Sequence, residues 1–183
     1  KTLPQQVLIV DDCSQDDQRH LLLNAIHGYK NLNIRLFGFT RHVGTADAKN
    51  LAIVYTKTPY IWFLDSDTEI ITFNVLEMGC EILDNNPTIG VIGAEIVRDK
   101  NGQHYLREQY LLKSLWSGFI YHSGEKDLRK EVDMISTCNF LTRTDLMKKI
   151  GGFHSQLENG EDKLACLQIR ELNYKVILDA RIG

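Results

Sequence analysis

The sequence lacks the features that mark nucleic-acid-binding, membrane-spanning and zinc-binding proteins. Its formal net charge of −3 provides no basic surface for nucleic acid. No apolar run approaches the ~18 residues of a membrane span, and the first residues do not resemble a signal peptide. The four cysteines are far apart and share no C-x-x-C spacing, which favours buried thiols in a reducing compartment over a zinc site. These absences predict a cytoplasmic globular domain.

Several common catalytic and phosphate-binding motifs are also missing. The sequence has no Walker A loop, no G-x-G-x-x-G and no G-x-S-x-G. Its histidines show neither H-x-x-H nor H-E-x-x-H spacing. The chemistry must therefore come from other residues, and the sequence contains several conspicuous acidic groups.

Strands and helices are predicted to alternate along a single domain, residues 1–183. We expect strands at 7–10, 34–39, 60–64, 89–94, 136–141 and 175–178, and helices at 14–28, 45–58, 75–83, 144–150 and 161–172. Ser14 and Thr45 are the expected helix caps, and Leu22, Ala25 and Ile26 the expected buried face of the first helix. The alternation predicts a mostly parallel, doubly wound sheet, and weak periodicity marks 98–135 as an irregular excursion.

The most informative stretch is Tyr60–Leu64, an apolar strand that ends in Asp65-Ser66-Asp67. A period of two places both carboxylates on the same side of an extended chain. Ligands of open α/β sheets bind beyond the carboxyl ends of the strands. Two carboxylates in that place suit Mg²⁺ or Mn²⁺ when substrate phosphates complete the coordination. A strand that simply ends in polar surface residues is the alternative.

Further charged residues are expected near the same edge. Asp11 and Asp12 follow the first strand, and Glu161-Asp162 opens the last helix directly after Gly160. Carboxylates that close would disturb one another's ionisation unless a cation intervened, which favours a metal or nucleotide site over plain surface acids. Asp162 could serve as a base, although carboxylates also suit any helix start. Lys49 could reach a diphosphate or could simply be solvated.

Taken in order, these segments resemble the large inverting family of nucleotide-sugar glycosyltransferases with the GT-A fold. The family's strand followed by D-D-x-S is similar to 7–14, and its G-x-x-x-A-R-N-x-G segment is similar to 44–52. Its D-x-D strand end is similar to 63–67, and its G-G-F and E-D elements are similar to 151–153 and 160–162. The resemblance covers nearly the whole chain and implies a Rossmann-like, three-layer α/β/α sandwich.

The resemblance also implies a role for each matching residue. Asp12, with Asp11 beside it, would contact the base or ribose, and Lys49 would lie near the nucleotide and its phosphates. Asp65 would face the ribose or the metal, and Asp67 would bind Mn²⁺ or Mg²⁺. Asp162 would be the general base, with Glu161 supporting the acceptor site.

The sequence departs from the family pattern at several positions. Cys13 and Ala52 replace residues that are usually glycine, and Lys49 replaces arginine, which removes the planar fork for a bidentate contact. Only residues 1–6 precede the D-D-x-S strand, whereas the family has a strand and a long helix there. We therefore expect an incomplete nucleotide pocket and, as one alternative, an inactive nucleotide-binding fragment.

Two unrelated functions compete with this interpretation. In a phosphoacceptor receiver domain Asp65 would be phosphorylated, but such domains are shorter and usually have Met-Pro after that aspartate. In a haloacid-dehalogenase-type phosphatase Asp65 would be the nucleophile, but Glu69 stands where that family has Thr or Val.

The expected partners are a nucleotide-sugar donor, probed first as a UDP-sugar, and a glycan, lipid-linked or other hydroxyl acceptor. No nucleic acid is expected, and the location is cytoplasmic, with peripheral association at the inner membrane face left open. Aromatic residues in the excursion are candidates for an acceptor surface or a local core: Trp116, Phe119, Tyr121 and His122.

Overall fold

The computed structural model describes residues 2–94, 96–100, 103–108, 111–112, 119–120, 129–157 and 159–182. The strands are β1 Val7–Asp11, β2 Ile34–Gly38, β3 Tyr60–Leu64, β4 Ile89–Gly93, β5 Ile96–Lys100, β6 Gln103–Glu108, β7 Leu111–Leu112, β8 Phe119–Ile120, β9 Arg129–Glu131, β10 Asn139–Arg143 and β11 Lys175–Asp179. The helices are α1 Asp16–Gly28, α2 Thr45–Tyr55, α3 Val75–Asn85, α4 Thr144–Lys149 and α5 Glu161–Glu171, followed by a 3₁₀ turn, Ala180–Ile182.

The central sheet has five strands in the order β3-β10-β4-β11-β9. β3, β4 and β11 run in one direction, whereas β10 is antiparallel to both of its neighbours and β9 is antiparallel to β11. The sheet is therefore mixed in its pairing, which corrects the expectation of a mostly parallel sheet. A parallel strand needs a crossover, usually a helix, and the described residues between β4 and β10 contain no helix.

Hydrophobic side chains cover both faces of this sheet, because residues alternate between the faces along each strand. On one face α2, α4 and α5 contribute Ala46, Ile53, Leu146, Met147, Ala165, Cys166 and Ile169, which pack with Ile61, Phe63, Val91, Phe140 and Val176. On the other face α3 and the 3₁₀ turn contribute Val75, Leu83 and Ile182, which pack with Ile89, Ile92, Leu141 and Ile177. Helices on both faces of one sheet form the expected three-layer sandwich.

β1 and β2 form a separate parallel pair, with Val7 opposite Ile34 and Asp11 opposite Gly38. Helix α1 follows β1 but has no buried residue, which contradicts the expected burial of Leu22, Ala25 and Ile26. The physical reason is that a two-stranded pair offers a narrow surface, so it cannot enclose one face of a helix.

The two expected helix caps are also wrong. Gln15 precedes α1 and Gly44 precedes α2, and neither makes a side-chain capping bond. Ser14 instead donates its backbone N–H to Asp11 Oδ1 at 3.0 Å. Thr45 is the first residue of α2, and its hydroxyl turns toward the start of α5. Both departures arise from contacts between distant segments, which local capping patterns do not contain.

Part of the predicted excursion, 98–135, is described. β5 pairs with β6 and β7 with β8, both antiparallel, and β9 joins the central sheet. Phe119 lies in β8, whereas Trp116, Tyr121 and His122 lie outside the described residues. The acceptor surface and the domain limits therefore stay predictions. No helix in the described part of the chain has the length and apolar character needed to cross a membrane.

Candidate active site

The candidate site lies at the edge of the central sheet where β3 and β4 end. Asp65 follows β3 directly, and β10 begins at the same edge because Asn139 pairs with Leu64. The residues just before β10 therefore stand beside Asp65. The starts of α2 and α5 supply the remaining charged groups, so four segments that are distant in sequence contribute to one site.

Lys49 of α2 is the central charged group of this site. Its Nζ lies 3.2 Å from Asp65 Oδ1 and 3.8 Å from Glu161 Oε1, and it donates a hydrogen bond to Thr137 Oγ1. Only 13% of the Lys49 side chain is exposed. The solvated alternative for Lys49 is therefore wrong, and this lysine is an enclosed cation among acidic and hydroxyl oxygens.

The two aspartates of the D-x-D segment differ in environment. Asp65 is partly exposed and paired with Lys49, whereas Asp67 is exposed. The segment turns sharply, since Thr68 donates its N–H to the Asp65 carbonyl at 3.1 Å. Among the described residues, no group of three histidine, cysteine or acidic side chains could hold a metal ion by itself. The oxygen donors of Asp65 and Asp67 suit Mg²⁺ or Mn²⁺ only if a bound phosphate completes the set.

Asp12 fixes the loop that leads into α2. Its carboxylate accepts the N–H groups of Val43 at 2.7 Å and Gly44 at 2.9 Å, and His42 Nδ1 lies 2.7 Å from Oδ2. The Asp12 side chain is 19% exposed, which leaves part of it accessible to a ligand. Its predicted contact with a nucleotide stays a prediction. The two backbone contacts give Asp12 a second, structural role that the sequence did not indicate.

Asp11 is enclosed, with 1% of its side chain exposed. Hydrogen bonding to Ser14 lowers its pKa against the effect of burial, and Arg19 lowers it further. Arg19 Nε lies 3.2 Å from Asp11 Oδ2 without the alignment of a hydrogen bond, so the contact is an ion pair. These contacts support a structural role for Asp11, and its predicted nucleotide contact has no exposed oxygen to use.

Glu161 and Asp162 open α5, as the sequence predicted. Glu161 Oε1 accepts a hydrogen bond from Thr45 Oγ1 at 3.3 Å, and 12% of the side chain is exposed. Asp162 Oδ1 accepts the N–H of Lys163 at 2.7 Å. Burial raises the pKa of Asp162, and the negative charge of Glu161 adds to this rise, while the Lys163 N–H and Lys49 oppose it. A raised pKa makes this carboxylate a stronger base than an exposed aspartate.

Sequence reasoning missed two residues of the site, Thr137 and Cys138. Thr137 is buried and accepts the Lys49 hydrogen bond. Burial raises the pKa of the Cys138 thiol, a hydrogen bond with Ser136 opposes this rise, and the charges of Asp65 and Asp162 add to it. The sequence predicted a strand over 136–141 that would contain both residues, whereas β10 begins at Asn139 and leaves them at the sheet edge. The sequence also does not reveal which strand β10 pairs with.

The Gly151-Gly152-Phe153 segment is held to α2 by Asn50. The Asn50 side chain donates to the Phe153 carbonyl at 2.8 Å and accepts the Phe153 N–H at 2.8 Å. Phe153 then packs edge-on against Phe63, with ring centroids 5.1 Å apart. Asn50 therefore ties two of the recognised motifs together directly beside Lys49.

Comparison with known proteins identifies the family. A family model described as "Glycosyl transferase family 2" matches residues 1–151. The chain belongs to this family. The matched residues include the D-D-x-S and D-x-D segments, and the family assignment removes the receiver and phosphatase alternatives.

Solved structures of glycosyltransferases share the GT-A fold of this family 2 chain. A mannosyltransferase from Pyrobaculum calidifontis, in complex with GDP-Man and Mn²⁺, has a TM-score of 0.72 at 16% identity, and the match covers 98% of this chain and 47% of that one. S. aureus TarS gives 0.69 at 21% identity, covering 97% and 30%. GalNAc-T7, with UDP, GalNAc and Mn²⁺, gives 0.71 at 15% identity, covering 96% and 36%.

A curated relative matches a smaller part of the chain. It is the teichoic acid poly(glycerol phosphate) polymerase of Staphylococcus epidermidis, which is 35% identical over 75 residues, or 41% of this chain and 10% of that protein. The chain thus spans a small part of this relative and less than half of each solved neighbour described above. This similarity supports the family assignment, and it does not identify the sugar donor or the acceptor of this chain.

Proposed function

We propose that this family 2 domain transfers a sugar from a nucleotide-diphosphate donor, probed first as a UDP-sugar, to an acceptor hydroxyl with inversion. The observation that carries the proposal is that Lys49 Nζ lies within 3.8 Å of carboxylate oxygens of both Asp65 and Glu161, which belong to different segments of the chain. These residues lie at the edge where β3 ends, and ligands of open α/β sheets bind at the carboxyl ends of the strands. Two of the solved neighbours are complexes with Mn²⁺ and nucleotide-containing ligands.

Asp67, with Asp65, is the proposed holder of Mn²⁺ or Mg²⁺. Both side chains offer hard oxygen donors, and the exposure of Asp67 leaves it accessible to an ion that arrives with the donor. When bound, the metal would neutralise charge on the diphosphate leaving group. The ion pair of Asp65 with Lys49 favours Asp67 as the principal ligand, since one Asp65 oxygen already faces a cation.

The chain's own residues supply the other parts of the reaction. The Lys49 ammonium would stabilise the diphosphate electrostatically. Asp162 would accept the proton of the acceptor hydroxyl as the oxygen bonds to the anomeric carbon, while the bond from that carbon to the diphosphate oxygen breaks. Displacement from the opposite face inverts the anomeric carbon. Glu161, held by Thr45 and Lys49, would support the acceptor site.

The acceptor is proposed as a glycan, a lipid-linked acceptor or another hydroxyl compound. The similarity to a teichoic acid poly(glycerol phosphate) polymerase supports polymer biosynthesis, and we propose polysaccharide biosynthesis as the setting. A cytoplasmic location with peripheral contact at the inner membrane face is consistent with a glycan acceptor and with a lipid-linked acceptor.

Nucleotide binding with and without metal tests the proposal. Calorimetry with UDP and GDP should show binding that depends on Mn²⁺ or Mg²⁺, and Asp67→Ala should weaken it at least about tenfold, since even outer-shell changes around metals cost that much. Glu69→Ala is the matched control, because it removes an exposed acid two residues further along the same loop. Absence of nucleotide binding in the wild type, or equal losses in the two variants, would contradict the proposal.

A further inference from the structure

The surroundings of the Lys49 ammonium are unusually complete for a lysine. An ammonium group has three N–H donors, and Nζ faces three oxygens: Thr137 Oγ1 in a hydrogen bond, Asp65 Oδ1 at 3.2 Å and Glu161 Oε1 at 3.8 Å. The ring of Phe153 lies on another side, with its centroid 6.0 Å from Nζ. One donor of Lys49 is therefore fixed by the hydrogen bond to Thr137, while the carboxylates of Asp65 and Glu161 attract the ammonium from two other segments.

Thr137 is the neutral member of these three and the most buried. It is 3% exposed. Two residues later Asn139 pairs with Leu64 in the sheet, and its side chain accepts the Trp62 Nε1–H at 2.8 Å. The Thr137 hydroxyl is thus buried two residues before a strand of the central sheet, whereas Asp65 is partly exposed. A fixed, uncharged acceptor can hold an ammonium in place without cancelling its charge.

We propose that Thr137 is a positioning residue that aims the Lys49 ammonium at the donor diphosphate and that makes lysine, rather than the arginine usual in the family, the residue required at position 49. This inference rests on the proposed function. Lysine concentrates its charge and three donors on one atom, which suits three oxygens around one point. The guanidinium of arginine spreads its donors over a wider planar fork, which matches oxygens around a single point less well.

The test compares nucleotide affinities of variants by calorimetry in Mn²⁺. Thr137→Val keeps the branched shape and removes the hydroxyl, so UDP binding should weaken about tenfold while UMP binding changes less than about twofold, as expected for a lost hydrogen bond to a charged group near the second phosphate. Thr137→Ser, which keeps the hydroxyl, should bind UDP like the wild type. Lys49→Arg, which keeps the charge, should lose at least about tenfold.

Thr142→Val is the matched control for loss of a buried hydroxyl. Thr142 is fully buried in β10 and donates to the Gly90 carbonyl at 2.7 Å, away from the site. This variant should lower the unfolding midpoint and leave the UDP-to-UMP affinity ratio unchanged. A general loss of packing would affect both threonine variants alike, whereas a positioning role changes the ratio only in Thr137→Val.

The outcomes separate this inference from the proposed function. If the wild type binds neither UDP nor GDP, the proposed function fails and this inference fails with it. If the wild type binds UDP and Thr137→Val keeps the same UDP-to-UMP ratio, the inference alone is overturned. If Thr137→Val fails to fold, the UDP affinity of Lys49→Arg provides the test instead, because Lys49 is the other partner of the hydrogen bond. Wild-type UDP affinity in that variant would also overturn the inference.

Discussion

At the scale of single residues, Cys13 carries a strain that the sequence pattern anticipates. Its φ is 64°, in the left-handed region that side chains rarely adopt and that glycine adopts freely. The family usually has glycine at this position, so the departure and the strain coincide. Cys13 is also exposed, which means that its side chain contributes little packing in return.

We therefore predict that Cys13→Gly raises the free energy of unfolding by about 0.5–1 kcal/mol, the relief of left-handed strain less the greater freedom of glycine in the unfolded chain. Urea unfolding measures the change. Cys13→Ala is the control, because alanine keeps the strain while removing the thiol. Equal stability of the glycine and alanine variants would show that the backbone strain is not the cause.

The charged residues of the site were predictable from sequence, whereas their neutral neighbours were not. Asp65, Glu161 and Lys49 stand out because charged groups at strand ends and helix starts meet at one sheet edge. Thr137 and Cys138 reach that edge only through the pairing of β10 with β3, which no local pattern encodes. The same limit explains Asp12, whose contacts to Val43 and Gly44 join segments about 30 residues apart.

At the scale of elements, the turn after α4 shows how a close approach fixes a glycine. Gly151 and Gly152 both have φ of +82°, so a side chain is strained at either position. Their surroundings differ, because a Cβ on Gly152 would lie 2.4 Å from Asn50 Oδ1, whereas a Cβ on Gly151 would meet no atom within 4 Å. The Asn50 atom is itself held by the Phe153 N–H and cannot move away freely.

The two alanine variants should therefore differ in stability. Gly151→Ala should cost about 1–2 kcal/mol from backbone strain alone, and Gly152→Ala should cost about 1–3 kcal/mol more because it also disrupts the Asn50 contact. Chemical unfolding of the two proteins gives the difference directly. Similar losses in the two variants would mean that Asn50 yields easily and does not clamp the turn.

Hydrophobic periodicity predicted the helices and the other strands to within three residues at each end, but it missed β5–β9 and did not predict how the strands are arranged. The predicted helix 161–172 and the observed α5, Glu161–Glu171, differ by one residue. The direction of β10 was missed because the sequence pattern does not show how the chain enters the sheet, and the described residues between β4 and β10 contain no helix. The exposure of α1 was missed because an apolar pattern records the side chains of a helix and not the width of the surface available to cover them.

At the scale of the whole molecule, buried carboxylates act on stability in opposite directions. Burial opposes ionisation of Asp179, but hydrogen bonds from Arg181 and Arg129 outweigh it and lower its pKa. A lowered pKa contributes stability above the unfolded value that is lost as the pH falls through the folded value. The pKa of Asp162 is raised, so its contribution is present below the ordinary value of 3.8 and is lost as the pH rises through the folded value.

We predict that Asp162→Asn lowers sugar transfer about 10²–10⁴-fold, the usual contribution of a general base, while raising the free energy of unfolding at pH 7. The amide cannot accept the proton, but it can still accept the Lys163 N–H without the penalty of burying a charge. The stability gain should shrink as the pH falls through the raised pKa of folded Asp162 toward 3.8, and it should be absent below 3.8, where Asp162 is protonated in both states. Transfer assays and urea unfolding across this pH range measure both effects.

Asp145→Asn is the matched control for the loss of transfer and the gain in unfolding free energy expected of Asp162→Asn. Asp145 is likewise the second residue of its helix and accepts the next N–H, that of Leu146, at 2.8 Å, but its side chain is exposed. It should show neither the loss of transfer nor the gain in stability at pH 7, because an exposed carboxylate stays hydrated.

In the wild type, transfer should also decline with acid at a pH above that of an ordinary aspartate, since protonated Asp162 is no longer a base. Full turnover by Asp162→Asn would remove Asp162 as the base, and an unchanged unfolding free energy would show that its burial carries no cost.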